Sequence, residues 1–346
     1  MIEFGVEFHN VDHLEQVSGV EGWRLERFPK QMKEELGIPE NHNGRFRSKF
    51  VQGCEIRFVT DASFFEIGLT AAWRDEEVVI YYGDQMHSRH VLSAGNHTTL
   101  HIDYPEALRQ VDSNQIPRGR FGPNVWRIQF GNGGYVYFHY LDTYGAKVRP
   151  PKKEEKPPVV WAAYGSSITC GYVSNLYGNS YVEQAAGKLG YDVLNKGLSG
   201  SCMGEAVMAD YLAGLPVDVI SLEIGVNMLS FLEPDEFSAR TGYMIKTLKK
   251  DSQAKRIFVI DMFDNRGRLL LNHNDRRYKN FHEFRRIVKE QVEDLGDERM
   301  VYLNGDSILK SLTWLSTDLL HPSDMGHIQM GSELAALMKA YEDLGQ

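Results

Sequence analysis

From Val159 onward, short apolar runs alternate with amphipathic stretches, and no two of a kind are adjacent. The run "PVVWAAYG" is followed by "NSYVEQAAGKLG", whose apolar residues Tyr181, Val182, Ala185, Ala186 and Leu189 fall on one helical face. The order continues through "YDVLNKG", "MGEAVMADYL", "VDVISLEIG", "PDEFSARTGYMIKTLKK", "RIFVIDMF" and "YKNFHEFRRIVKEQVEDLG". The stripe of the last of these is Phe281, Phe284, Val288, Val292 and Leu295. Strand "MVYLN" and a helix from Asp324 to about Tyr341 finish the chain. Strands that are apolar throughout need cover on both faces. Strict alternation with right-handed crossovers therefore predicts a five-stranded parallel sheet between two layers of helices, an α/β fold.

The pattern before that point is different. "SFFEIGLTAAW", "EVVIYYG" and "VWRIQFGNGGYVYFHYLD" are rich in β-branched and aromatic residues, and the last holds two runs around Asn132-Gly133-Gly134. Glycine supplies the positive φ of a tight hairpin there. Closely spaced short strands predict an all-β sandwich, with "GWRLERFPKQMKEELG" as a short helix ending at Gly37. Between the two halves lies "KVRPPKKEEKPP", four prolines in a mixed charge run. Proline restricts itself and its predecessor to extended backbone, so a stiff, exposed connector is expected. The expected division is a sandwich over 1–146, a linker over 147–158 and an α/β domain over 159–346.

Formal net charge is −9, which argues against a phosphate-backbone partner, so no nucleic acid is expected. No run approaches a membrane-spanning length, and no membrane association is expected. The start "MIEFGVEFHNVDHLEQ" has no basic n-region or apolar h-region, so no signal peptide is read and a cytoplasmic protein is expected. Three cysteines, Cys54, Cys170 and Cys202, have no metal-ligand spacing and form no disulfide framework. His273, Asp275 and His282 match no zinc signature, so no metal and no cofactor are expected.

Sites in open α/β sheets form beyond the carboxyl ends of the strands. Gly165-Ser166-Ser167-Ile168-Thr169 follows the first strand, Gly197-Leu198-Ser199-Gly200 the second and Gly225-Val226-Asn227 the third. Asp306 and Ser307, then Asp318-Leu319-Leu320-His321-Pro322, follow the fifth. These residues contain the parts of acyl transfer. A serine hydroxyl needs a base, which His321 supplies, and Asp318 is placed to orient the imidazole. The N–H groups of Ser167 and Gly200 and the amide of Asn227 are candidate donors to an oxyanion.

Four short blocks carry a resemblance. GSSIT, GLSG, GVNM and DLLHP stand in the order of the Gly-Asp-Ser, Gly-x-x-Gly, Gly-x-Asn-Asp and Asp-x-x-His-Pro blocks of the SGNH, or GDSL-type, esterase and lipase superfamily. The resemblance implies a three-layer, flavodoxin-like hydrolase domain with Ser167 as nucleophile. Ser307, in "GDSIL", matches the family name more literally, but it follows the blocks it should precede and reads as a strand-ending turn. Two positions depart from the family. Ser166 stands where the family has Asp, as in a GSSIT subgroup, and Met228 stands in place of the Asp after Asn227. Cys170 and Cys202 read as small buried residues, His327 as structural, and Asp324 as the N-cap of the last helix. Trp73 and Trp126 read as core residues of the sandwich.

A sandwich ahead of such a domain is similar to carbohydrate esterases of family 2, with a jelly-roll-like first half. That implies O-deacetylation of a carbohydrate by a Ser167–His321–Asp318 triad, with a small-molecule ester or acetylated oligosaccharide as partner. The alternatives are a short-chain lipolytic carboxylesterase, a lysophospholipase, a thioesterase or an acyltransferase using the same residues. An alternative of another class is an inactive carbohydrate-binding protein. Acyl length, the alcohol, the role of the first half and homo-oligomerisation stay open.

Overall fold

The computed structural model describes residues 1–112, 115–116, 118–131 and 133–343. Its Cα atoms form two compact units, one of Met1–Pro29 with Ser48–Pro158, the other of Lys30–Arg47 with Val159–Gln346. This revises the expected division twice. The excursion Lys30–Arg47 belongs with the α/β unit, and residues 147–158 belong with the sandwich.

The first unit holds β1 (Ile2–Glu3), β2 (Val6–His9), β3 (His13–Glu15), β4 (Trp23–Glu26), β5 (Glu55–Thr60) and β6 (Phe64–Ala72). It continues with β7 (Glu76–Tyr82), β8 (Gln85–Leu92), β9 (His97–Asp103), β10 (Trp126–Phe130), β11 (Tyr135–Asp142) and β12 (Val148–Arg149). One sheet runs β1-β2-β5-β10-β7-β8, with β12 also on β5, and the other runs β3-β4-β11-β6-β9. Phe8, Ile56, Phe58, Ile80 and Ile128 of the first sheet share one core with Phe65, Leu69, Ala71, Val136 and Phe138 of the second. Alternating strands put these side chains on the inner faces.

Residues 147–158 do not make the stiff, exposed connector expected, and Pro151 and Pro157 are buried. The strand β12 pairs antiparallel with β5, Arg149 makes two bonds of 2.7 Å to Glu155, and Lys156 meets Glu7 at 2.7 Å. The expected hairpin is also revised: β10 and β11 lie in different sheets, and Asn132 is outside the described residues. Gly131 and Gly134 close on a buried carboxyl, with Glu76 accepting the N–H of Gly131 at 2.7 Å and of Gly134 at 2.8 Å. A Cβ on Gly133 would sit 2.2 Å from Glu76 Oε2, so only glycine passes there. Trp126 is buried as expected, but Trp73, just past β6 at φ +85, is 63% exposed.

In the second unit, α1 (Lys30–Glu35) and α2 (Asn43–Arg47) come first. The expected helix over 22–37 thus divides at Pro29 into β4 and α1. Then follow β13 (Val159–Tyr164), α3 (Tyr181–Leu189), β14 (Tyr191–Asn195), α4 (Ala206–Ala213) and β15 (Val219–Glu223). The chain ends with α5 (Pro234–Asp251), β16 (Arg256–Ile260), α6 (Arg276–Leu295), β17 (Met300–Leu303) and α7 (Asp324–Asp343). All five strands are parallel, in the order β14-β13-β15-β16-β17. One face buries Trp161, Val193, Phe258 and Ile260 against Tyr181, Ala185, Met330 and Leu334 of α3 and α7. The strand order reverses at β13, which opens a crevice at its carboxyl end. Among the described residues no helix is long and apolar enough to cross a membrane.

Candidate active site

The strand β13 ends at Tyr164, and the chain then turns tightly through Gly165–Gly171. Cys170 N–H donates to Ser166 O at 3.1 Å and Tyr172 N–H to Ser167 O at 3.0 Å. Ser167 sits on this turn, 6% exposed. Its Oγ lies 2.7 Å from His321 Nε2, and His321 Nδ1 lies 2.6 Å from Asp318 Oδ2. The other carboxylate oxygen of Asp318 accepts the Ser316 hydroxyl and the N–H groups of Leu320 and His321 at 2.8, 2.9 and 3.0 Å. Partial burial opposes the charge on Asp318. The bonds from the His321 ring, the two N–H groups and Ser316 outweigh it and hold the carboxyl well below the usual carboxylate range. An ionised Asp318 holds the proton on His321 Nδ1, which leaves Nε2 as acceptor for the serine hydroxyl.

The loop carrying these two residues is tied down. Ser316 N–H donates to His321 O at 2.8 Å, and Arg266 N–H donates to Leu319 O at 2.7 Å. Leu319 holds φ +53, a strained value for a branched side chain. Arg266 comes from the loop after β16, which thereby borders the loop of Asp318 and His321. Tyr172 stands edge-on to His321, with ring centroids 4.8 Å apart.

Gly200 follows β14 at φ +68, with nothing within 4 Å of where its Cβ would be. Asn227 Oδ1 accepts the N–H of Cys202 at 3.0 Å, which leaves its Nδ2 as a donor. Among the described residues, the N–H of Ser167, the N–H of Gly200 and Nδ2 of Asn227 have no protein acceptor. Ser307 is exposed in a 3-10 turn over Gly305–Ser307, and it is Ser167 that meets His321.

His327 is fully buried. Its Nδ1 accepts Tyr181 N–H at 3.3 Å and its Nε2 donates to Tyr172 O at 3.0 Å, and burial pulls it down to about 4. Asp324 is not the cap of α7. Ser323 Oγ accepts Gly326 N–H at 3.1 Å, while Asp324 accepts Asn175 N–H at 2.8 Å and Asn179 Nδ2 at 3.1 Å. Cys170 and Cys202 are 2% and 1% exposed, and burial pushes the Cys202 thiol well up. Asp275 caps α6 through Arg277 N–H, and the His273 ring stacks on Tyr278 at 4.2 Å.

Three supporting residues have no signal in the four blocks. Asn195, at the end of β14, donates to Thr169 O at 2.7 Å and accepts Gly197 N–H at 2.9 Å, joining the first two loops. Asn41, between α1 and α2, donates to Gly200 O at 2.9 Å. Glu205 accepts Gly37 N–H at 2.9 Å. An asparagine ending a strand is a weak pointer to the first, but residues 159 positions apart in the chain give none to the second.

The sheet order and the four loops at its carboxyl edge define an SGNH-type hydrolase. The chain belongs to the GDSL-like lipase/acylhydrolase family, which it matches over residues 155–339, and it is a carboxylic ester hydrolase. No curated protein matches at the sequence level. Among solved structures, it is similar to the salicylyl-acyltransferase SsfX3 from a tetracycline biosynthetic pathway, at 15% identity and TM-score 0.79, covering 98% of this chain and 95% of that one. It is similar to a putative GDSL-like lipase from Bacteroides ovatus at 19% identity and TM-score 0.64, over 91% and 89% of the two chains. A family two carbohydrate esterase from Clostridium thermocellum, in complex with cellohexaose, matches at 16% identity and TM-score 0.60, over 85% and 93%. These likenesses cover both units and establish the fold.

Proposed function

We propose that this chain is a serine esterase that removes short acyl groups, acetyl foremost, from carbohydrate hydroxyls. The observation that carries the reading is the hydrogen-bonded run from Ser167 Oγ through His321 to Asp318. In this reading Ser167 Oγ attacks the ester carbonyl while His321 Nε2 takes its proton. The anionic oxygen of the tetrahedral intermediate is met by the N–H groups of Ser167 and Gly200 and by Asn227 Nδ2. Removing one such donor costs about a hundred- to a thousandfold in rate. The intermediate collapses, His321 gives its proton to the departing alcohol oxygen, and the acyl group stays on Ser167. Water, deprotonated by His321, then releases the acid and restores the hydroxyl. Asp318 keeps the imidazole in the required tautomer and stabilises its cation throughout.

The substrate class rests on the analogy of a sandwich joined to an SGNH unit, the arrangement of the family two carbohydrate esterase. Hydrolysis of p-nitrophenyl acetate, butyrate and octanoate, followed by acetate release from an acetylated xylo-oligosaccharide, tests it. Acetate fastest, with acetate released from the sugar, supports the reading; octanoate fastest contradicts it. The same residues serve an acyltransferase when an acceptor replaces water. Added xylobiose diverts the acyl group in that case and leaves the product ratio unchanged in a hydrolase.

A further inference from the structure

Glu223 ends β15 directly behind the turn that carries Ser167. Its Oε2 accepts the N–H of Ser166 at 2.7 Å and the hydroxyl of Thr169 at 3.2 Å. These residues flank Ser167 and Ile168, so one oxygen ties both ends of the turn. Gly165 is shaped around the same oxygen: a Cβ there would lie 2.7 Å from Glu223 Oε2 and 2.2 Å from Thr169 Oγ1. Thr169 Oγ1 lies 2.8 Å from the Tyr181 hydroxyl, which extends the network into α3. Glu223 is 1% exposed, and its Oε1 has no hydrogen-bond partner among the described residues. Burial pushes the carboxyl up to about 7 against the bonds from Ser166 and Thr169. The rest of β15 is fully buried, and an apolar residue would serve the sheet there at lower cost. The turn itself lacks a carboxyl, because Ser166, also fully buried, stands where the family block has aspartate.

We propose that Glu223 is a positioning residue for Ser167, supplying from β15 the carboxyl that the family block places at position 166. The inference rests on Ser167 being the nucleophile. Glu223 touches no reacting atom. It sets the turn, and through the turn it sets the Ser167 hydroxyl against His321 and the Ser167 N–H against the developing oxyanion.

The test combines p-nitrophenyl acetate kinetics with labelling by a fluorophosphonate. In labelling, Ser167 Oγ bonds to phosphorus, fluoride leaves, and His321 takes the serine proton. Wild type must label at Ser167; labelling elsewhere overturns the nucleophile assignment and this inference with it. Glu223→Leu is expected to lower kcat per labelled site about a hundredfold with KM within about threefold, because alignment and not binding is lost. Glu223→Gln keeps a carbonyl acceptor and stays within about fivefold of wild type. Ser166→Asp alone sets two carboxyls together and lowers kcat about tenfold or more, and adding Glu223→Gln recovers most of that loss. Wild-type kcat in folded Glu223→Leu, or effects of Ser166→Asp and Glu223→Gln that simply multiply, overturns the inference while leaving Ser167 in place. The cycle of Ser166→Asp with Glu223→Gln decides the matter even when the leucine variant does not fold.

Discussion

The side-chain amide of Asn41 donates to the carbonyl oxygen of Gly200 across 2.9 Å. A residue between two short helices thus braces the loop whose N–H is assigned to the oxyanion. Gly200 holds φ +68, and this bond fixes the peptide on its far side. Asn41→Ala removes a bond worth about 1 kcal/mol and is expected to lower kcat/KM for p-nitrophenyl acetate about fivefold to tenfold, with kcat carrying the loss. An unchanged kcat would separate Asn41 from the oxyanion loop.

His327 makes the protein sensitive to acid. It is neutral in the fold, held down to about 4 from an ordinary 6.5. Its contribution is fully present above about 6.5 and is lost progressively as pH falls from about 6.5 to about 4, because the unfolded state binds the proton first. The stability advantage of wild type over His327→Gln is expected to shrink by about 2 kcal/mol between pH 6.5 and 5, read from urea unfolding. A difference independent of pH over that range contradicts the neutral, buried assignment.

Met228 replaces the family's aspartate and is fully buried, its methyl 3.2 Å from where a Cβ on Gly204 would be. The loop is therefore supported by packing instead of charge. Met228→Asp buries a carboxylate with no assigned partner and is expected to cost about 3 kcal/mol, a fall in Tm of about 10 °C. Met228→Leu is expected to cost under about 1.5 kcal/mol. Thermal unfolding that ranks the two the other way sinks the packing account.

The α/β unit was legible because its strands are continuously apolar and its helices carry stripes such as Phe281, Phe284 and Val288. Both patterns follow from burial on known faces. Ser167, His321 and Asp318 were legible because each lies in a short local block, and the structure brings them within hydrogen-bond reach. The membership of Lys30–Arg47 in the second unit was not, because it depends on contacts such as Asn41 with Gly200 that local pattern does not encode. Gly133 and Gly134 misled for a related reason. Glycine marked a turn, but the buried Glu76 carboxylate and not a hairpin set its path. The prolines near 150 promised a stiff, exposed connector, and the ion pairs of Arg149 with Glu155 and Lys156 with Glu7 held it against the first unit. Glu223 read as the end of a strand, and only the bond to Ser166 N–H sets it apart.

The proposed mechanism requires that Ser167, and not Ser307, is acylated. Turnover of p-nitrophenyl acetate by wild type, Ser167→Ala and Ser307→Ala, with mass spectrometry of the fluorophosphonate adduct, tests it most directly. Expected are an adduct on the peptide containing Ser167, at least about a thousandfold loss of kcat in Ser167→Ala, and near wild-type turnover in Ser307→Ala. An adduct on Ser307, or an active Ser167→Ala enzyme, would contradict it.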